Sequence, residues 1–213
     1  MKTLLCFGDS NTYGTAPMAH RNDERRLPWP VRWPGVLQQA LGPEWRVIEE
    51  GLPGRTVARD DPVEGADRNA LRYLQACLQS HRPLDAVIFM LGTNDLKARF
   101  GASAEQIAEG LNALIDFTRE TSLPEHAQPH IVLVCPAPVV EVGCLADMFS
   151  GAAAKAPQMA AHYRRIAAQR GVGFVDAGKH ISVSPLDGIH FDESAHAALG
   201  AAIATALQQV VFA

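Results

Sequence analysis

Four short segments of the chain combine residue types suited to nucleophilic chemistry. Gly8-Asp9-Ser10-Asn11-Thr12 follows an apolar run, and Gly8 permits a tight turn that sets Ser10 at or near the start of a helical turn. Backbone N–H groups and the helix dipole favour negative charge there. A serine in that place is either a helix cap or a nucleophile. Gly51-Leu52-Pro53-Gly54-Arg55-Thr56 follows a second run. A glycine in such a loop lets backbone approach a ligand and turn an N–H toward it, and it equally makes a plain turn. Gly92-Thr93-Asn94-Asp95 offers a side-chain amide as a donor, from residue types that also serve ordinary turns. In Asp187-Gly188-Ile189-His190, the Asp can reach the Nδ1–H of the His three residues on. That contact fixes the tautomer and stabilises the imidazolium formed when Nε2 takes a proton. With eight histidines in the chain, a satisfied surface turn is the competing reading.

Taken together the segments are more specific than any one of them. Acyl transfer needs a nucleophile, a base, an orienting carboxylate and donors for a tetrahedral oxyanion, and these four segments offer all of them. They must then be brought to one place. Short runs rich in Val, Ile, Leu and Phe at 3–7, 85–91, 130–135 and 172–175, with a weaker one at 46–49, read as strands buried on both faces of a parallel sheet. Segments of helical character separate or follow them at 31–41, 69–80, 104–120, 155–169 and about 193–210. This alternation predicts a doubly wound, three-layer α/β/α sandwich with about five parallel strands, organised as one domain over 1–213. In such a sheet ligands bind beyond the carboxyl ends of the strands, where the first three segments fall. The stretches 15–30 and 137–154 fit no element and read as long loops or short irregular helices that rim a pocket. Met159, Tyr163, Ile166 and Ala167 recur at helical spacing, a packing stripe rather than a cofactor box.

Composition excludes several function classes. A net charge of -4 and the lack of any Lys/Arg run argue against nucleic acid as a partner. The apolar start MKTLLCF is too short for an export signal and no stretch reaches the ~20 apolar residues of a membrane span, so a soluble, cytoplasmic protein is expected. Cys6, Cys77, Cys135 and Cys144 form no CxxC pair, and reduced thiols packed in or near the core are expected.

In order and approximate position, Gly8-Asp9-Ser10, Gly54, Gly92-Thr93-Asn94-Asp95 and Asp187-Gly188-Ile189-His190 resemble the four signature blocks of the SGNH, or GDSL, hydrolases, across nearly the whole chain. The resemblance implies a flavodoxin-like fold, Ser10 as nucleophile, His190 as general base and then acid, and Asp187 as its orienter. It implies an oxyanion hole of the Ser10 N–H, the Gly54 N–H and the Asn94 amide, with Gly51 a nearby alternative to Gly54. It implies no cofactor and no metal. The stretches 32–37, 47–52 and 90–97 look like the arylesterase and acyltransferase branch, whose members act on small, short-chain or aryl esters. Some of them pass the acyl group to alcohols, and some assemble into homo-oligomers. The eponymous motif has Leu where this chain has Asn11, which bears on the shape of the acyl pocket. Phe149, Met148 and Ile189 are candidates for the acyl or alcohol pocket or for the core, and Lys97 for the pocket entrance or a solvated surface.

Two rivals remain at this stage. The order Asp9-Ser10-Asn11-Thr12 resembles the Asp-x-Asp-x-Thr of Mg²⁺-dependent phosphatases with Asp9 as nucleophile, though the second Asp is replaced by Asn11. A non-catalytic flavodoxin-like binding module is the other. The serine reading requires Ser10 Oγ within about 3 Å of His190 Nε2, with Asp187 on the other ring nitrogen.

Overall fold

The computed structural model describes residues 1–122 and 126–211. Five strands form one sheet: β1 (Lys2–Gly8), β2 (Trp45–Gly51), β3 (Ala86–Met90), β4 (His130–Cys135) and β5 (Gly173–Asp176). All four pairings are parallel and the order is β2-β1-β3-β4-β5. The chain thus winds outward one way from β1 to β2, then returns to β3 on the far side of β1. The expected doubly wound sheet of five parallel strands is what forms.

Helices cover both faces because the strand side chains alternate. Leu5, Phe7, Val87, Phe89, Ile131 and Leu133 face α3 (Ala70–His81), α4 (Ala104–Thr121) and α5 (Ala152–Arg170). Leu4, Cys6, Ile88, Met90, Val132 and Val134 face α2 (Trp33–Leu41) and α6 (Glu193–Val211). A four-residue helix, α1 (Ser10–Tyr13), follows β1 directly.

Boundaries follow local chemistry. A capping box, Ser103 accepting from the Gln106 N–H while Gln106 accepts from the Ser103 N–H, opens α4. The sequence expectation for α2 begins at 31, but the helix begins at Trp33, because Pro34 fits only the first turn. The last expected inter-strand helix begins at 155; α5 begins three residues earlier, at Ala152, and carries Pro157 inside it.

The bend that ends β3 is fixed from α5. Tyr163 is fully buried and its hydroxyl donates to the Leu91 carbonyl at 2.7 Å, just ahead of Gly92. Gly92 has φ +118, and a Cβ there would lie 2.3 Å from the Tyr163 hydroxyl. The packing stripe on α5 therefore shapes the turn carrying Asn94. Tyr163→Phe leaves that buried carbonyl unpaired and should lower stability by about 1–3 kcal/mol, read as a lower urea midpoint with unchanged m-value. An unchanged midpoint would refute the assignment.

Candidate active site

The winding reverses between β1 and β3, and a crevice opens there at the carboxyl ends of the strands. Ser10 enters it immediately after β1, Gly54 from the loop after β2 and Asn94 from the turn after β3. Asp187 and His190 come from the long connection between β5 and α6. Segments separated by up to 180 positions thus meet in one place.

Asp9 caps α1, its Oδ1 accepting the Asn11 N–H at 2.9 Å, and this sets Ser10 at the first helical position. Ser10 Oγ lies 3.1 Å from His190 Nε2. On the other side of the ring, His190 Nδ1 lies 2.7 Å from Asp187 Oδ2. The Asp187 carboxylate is completely buried. Its Oδ1 accepts the N–H groups of Ile189 and His190, and its Oδ2 also accepts the Met18 N–H at 2.7 Å. Burial pushes the Asp187 carboxyl up, but hydrogen bonding and the charge of His190, together with the Met18 N–H, bring it below its ordinary value. An ionised, oriented carboxylate behind the imidazole is the result.

The intervening Gly188 has φ +73, and a Cβ there would fall 1.8 Å from the Val140 carbonyl oxygen. Only glycine lets this turn pack against the 137–154 stretch.

Asn94 is almost fully buried, and its Nδ2 donates to the Arg55 carbonyl at 3.1 Å and approaches Asp9 Oδ2 at 3.5 Å. Next to it, Asp95 accepts from the Val57 N–H and from Arg59 Nε, tying the two loops together. Gly54 lines the crevice with φ +82. Gly51, the alternative, closes against α1: a Cβ on it would lie 2.1 Å from the Tyr13 nitrogen. It does not line the crevice, so of the two Gly54 is the one placed to donate there.

The crevice opens into a pocket of about 510 Å³. Met18, Leu145, Met148, Phe149 and Ile189 make an apolar wall, and Lys97 and Glu64 a polar one. Lys97 is 3% exposed and paired with Glu64 at 2.5 Å; burial pulls its pKa down against that pairing. The expectations for Lys97, Phe149 and Ile189 are therefore met as pocket-lining positions. The expectation for Asn11 is corrected. Asn11 is buried outside the pocket lining, and its Nδ2 donates to the Ile189 carbonyl at 3.2 Å, bracing the serine turn against the histidine loop. The two long loops do rim the pocket: Thr15, Met18, Arg21, Asp23, Glu24 and Arg25 come from one, and Leu145, Met148 and Phe149 from the other.

Sequence reasoning missed two contributors. The Met18 amide, which completes the solvation of Asp187, carries no side-chain signal at all. Arg55 lay in a quoted segment, but nothing in its type distinguishes a buried brace from a surface arginine.

Residues 6–198 match the profile of the GDSL-like lipase/acylhydrolase family. The chain belongs to that family. It is a carboxylic ester hydrolase with the three-layer α/β/α fold of the SGNH hydrolases. Among solved structures, this GDSL-family chain is similar to the M. smegmatis aryl esterase, at 38% identity and a TM-score of 0.93, covering 99% of this chain and 100% of that one. It is similar also to a carbohydrate acetylesterase from Sinorhizobium meliloti, at 35% identity and a TM-score of 0.93, covering 98% of this chain and 99% of that one. A G-D-S-L family protein from Veillonella parvula shares the fold, at 14% identity and a TM-score of 0.68, over 98% of this chain and all of that one. No curated protein matches the chain. No helix among the described residues is long and apolar enough to cross a membrane.

Asp9, the nucleophile of the phosphatase rival, is 1% exposed and does not line the pocket. Burial raises its carboxyl to about 6, against the Asn11 N–H and nearby positive charge. A folded-state value above the ordinary 3.8 means that the folded protein binds the proton more tightly than the unfolded chain. This contribution to stability is complete at low pH and is lost as pH rises through about 6. Asp9→Asn keeps an acceptor for the Asn11 N–H and cannot ionise. Its melting temperature, relative to wild type, should therefore climb between about pH 4 and about pH 8. A gap that stays flat or narrows would contradict the buried, proton-holding role.

Proposed function

We propose that this ester hydrolase works through an acyl-enzyme on Ser10 and acts on small carboxylic esters with short acyl chains or aryl leaving groups. The observation that carries the reading is the continuous chain from Ser10 Oγ to His190 Nε2 and from His190 Nδ1 to Asp187 Oδ2, at 3.1 and 2.7 Å, on the floor of a pocket. His190 Nε2 takes the Ser10 proton as Oγ attacks the ester carbon, and Asp187 stabilises the imidazolium that forms. The Ser10 and Gly54 N–H groups and Asn94 Nδ2 receive the negative oxygen. His190 then protonates the leaving alkoxide, the C–O bond breaks, and the acyl group remains on Oγ. Water enters, gives its proton to His190, and releases the acid by the same steps in reverse. These groups handle every proton and electron pair, and turnover is expected to persist in EDTA.

The reading takes short-chain and aryl esters from two features. Similarity to an aryl esterase and to a carbohydrate acetylesterase supports small esters as the class. The pocket's apolar wall of Met18, Leu145, Met148, Phe149 and Ile189 suits an aryl or alkyl group. The same wall can hold an alcohol beside the acyl-enzyme, so transfer to an alcohol competes with hydrolysis where water is excluded.

Release of p-nitrophenol from p-nitrophenyl acetate tests the core of the proposal. Wild type should turn over in EDTA, and Ser10→Ala, shown folded by circular dichroism, should not. Comparable rates in the two proteins would remove Ser10 as nucleophile. Asn94→Ala should lower kcat about a hundredfold, the ~3 kcal/mol typical of one lost oxyanion donor, with KM changed far less. A rise in KM at constant kcat would instead make Asn94 a ground-state binding group.

A further inference from the structure

One guanidinium braces the loops that present the pocket's donors. Arg55 is 2% exposed. Its Nη1 donates to the Gly8 carbonyl at 2.8 Å and to the Glu50 carbonyl. Gly8 ends β1, two positions ahead of Ser10, and Glu50 lies one residue from the end of β2. The guanidinium carbon rests 4.1 Å from the centre of the Phe7 ring and 5.5 Å from that of Tyr73. Glu50 is itself held from behind by His81 Nε2 at 2.8 Å.

The main chain of Arg55 does as much as its side chain. Its N–H donates to the Leu52 carbonyl at 3.1 Å, closing the turn that contains Gly54. Its carbonyl accepts from Asn94 Nδ2 at 3.1 Å. One residue thus holds the strand end before Ser10, the Gly54 turn and the Asn94 amide together. Burial pulls the guanidinium down to about 10, with the charges of Glu50 and Asp9 among those opposing it. Keeping an arginine where desolvation is this costly is unfavourable as packing alone, since an apolar side chain fills such space without the penalty. A rigid planar fork reaching two carbonyls supplies what an apolar side chain, or the point charge of a lysine, does not.

We propose that Arg55 is a positioning residue for the oxyanion hole, its guanidinium locking the Gly8, Gly54 and Asn94 loops in the mutual placement at which their donors converge. The inference rests on the serine-esterase reading above. Arg55 touches no reacting atom in this scheme. It acts through the donors.

The test compares wild type, Arg55→Met and Arg55→Lys for kcat and KM on p-nitrophenyl acetate, for inhibition by phenylboronic acid and for melting temperature. In the boronate complex Ser10 Oγ bonds to boron, its proton passes to His190, and a negatively charged tetrahedral centre occupies the hole. Arg55→Met should lower kcat about tenfold to a hundredfold with KM within about twofold, and weaken the boronate by a similar factor. Arg55→Lys should recover part of both, and it carries the same comparison if Arg55→Met does not fold. In an Asn94→Ala background the cost of the Arg55 substitution should shrink at least about threefold, because part of what it positions is gone. A full multiplicative loss in that background, or a lower melting temperature with unchanged boronate affinity, overturns the inference and leaves Ser10 chemistry standing. Wild-type turnover by Ser10→Ala overturns both.

Discussion

A carboxylate with no access to water must be solvated by the protein, and much of the site's architecture answers that requirement at Asp187. Four donors surround it: His190 Nδ1 and the N–H groups of Ile189, His190 and Met18. Two of these come from its own turn, which exists because Gly188 accepts positive φ against the Val140 carbonyl. The third backbone donor obliges residues 15–30 to fold over the site. That segment is pinned by an antiparallel bridge between Thr15 and Arg26, and by Arg26 and Arg32 converging on Glu49. An unmet donor here would leave a buried charge partly unpaired, a loss of several kcal/mol.

The opposite side of the serine obeys the same logic with other groups. Asp9 and Asp95 are both nearly inaccessible, and burial lifts their carboxyls to about 6 and about 7. Each accepts a backbone N–H close to the site: Asp9 from Asn11, Asp95 from Val57. The site is thus built by a few buried polar groups, each joining two loops, on strand ends that the parallel sheet holds rigid. Rigidity of this kind lets hydrogen-bond donors wait in place, without reorganising as charge develops on the substrate.

The sheet was legible in the sequence because a strand buried on both faces is a continuous apolar run ended by Gly, Pro or Asp. The winding order follows from right-handed crossovers, and the serine and histidine turns could be found because their geometry demands particular residue types. What stayed hidden depends on distant contacts. Asn11 reads as a variation in a pocket motif, yet its partner is the carbonyl of Ile189, 178 residues away. The Met18 contact uses backbone alone, which leaves no trace in composition. The start of α2 moved because a single proline outweighs the apolar pattern around it. Residues 15–30 and 137–154 could be recognised as loops but not placed, since loop paths are set by what they close upon.

The pocket's two walls differ in how they are held, and that difference bears on specificity. On the polar side Lys97 and Arg99 lock onto Asp61 and Glu64, with Lys97 and Asp61 almost inaccessible. Removing one member of such a cluster strands the charge of another, so this wall is costly to vary. The apolar side is Met18, Leu145, Met148, Phe149 and Ile189, hydrophobic side chains on or beside the long loops. Methionine in particular adjusts its shape at little cost. Substitutions of similar volume there keep the burial and leave the charged groups untouched. A change of preferred ester therefore needs only that side to change, while the serine, its base and the oxyanion donors stay where the strand ends put them.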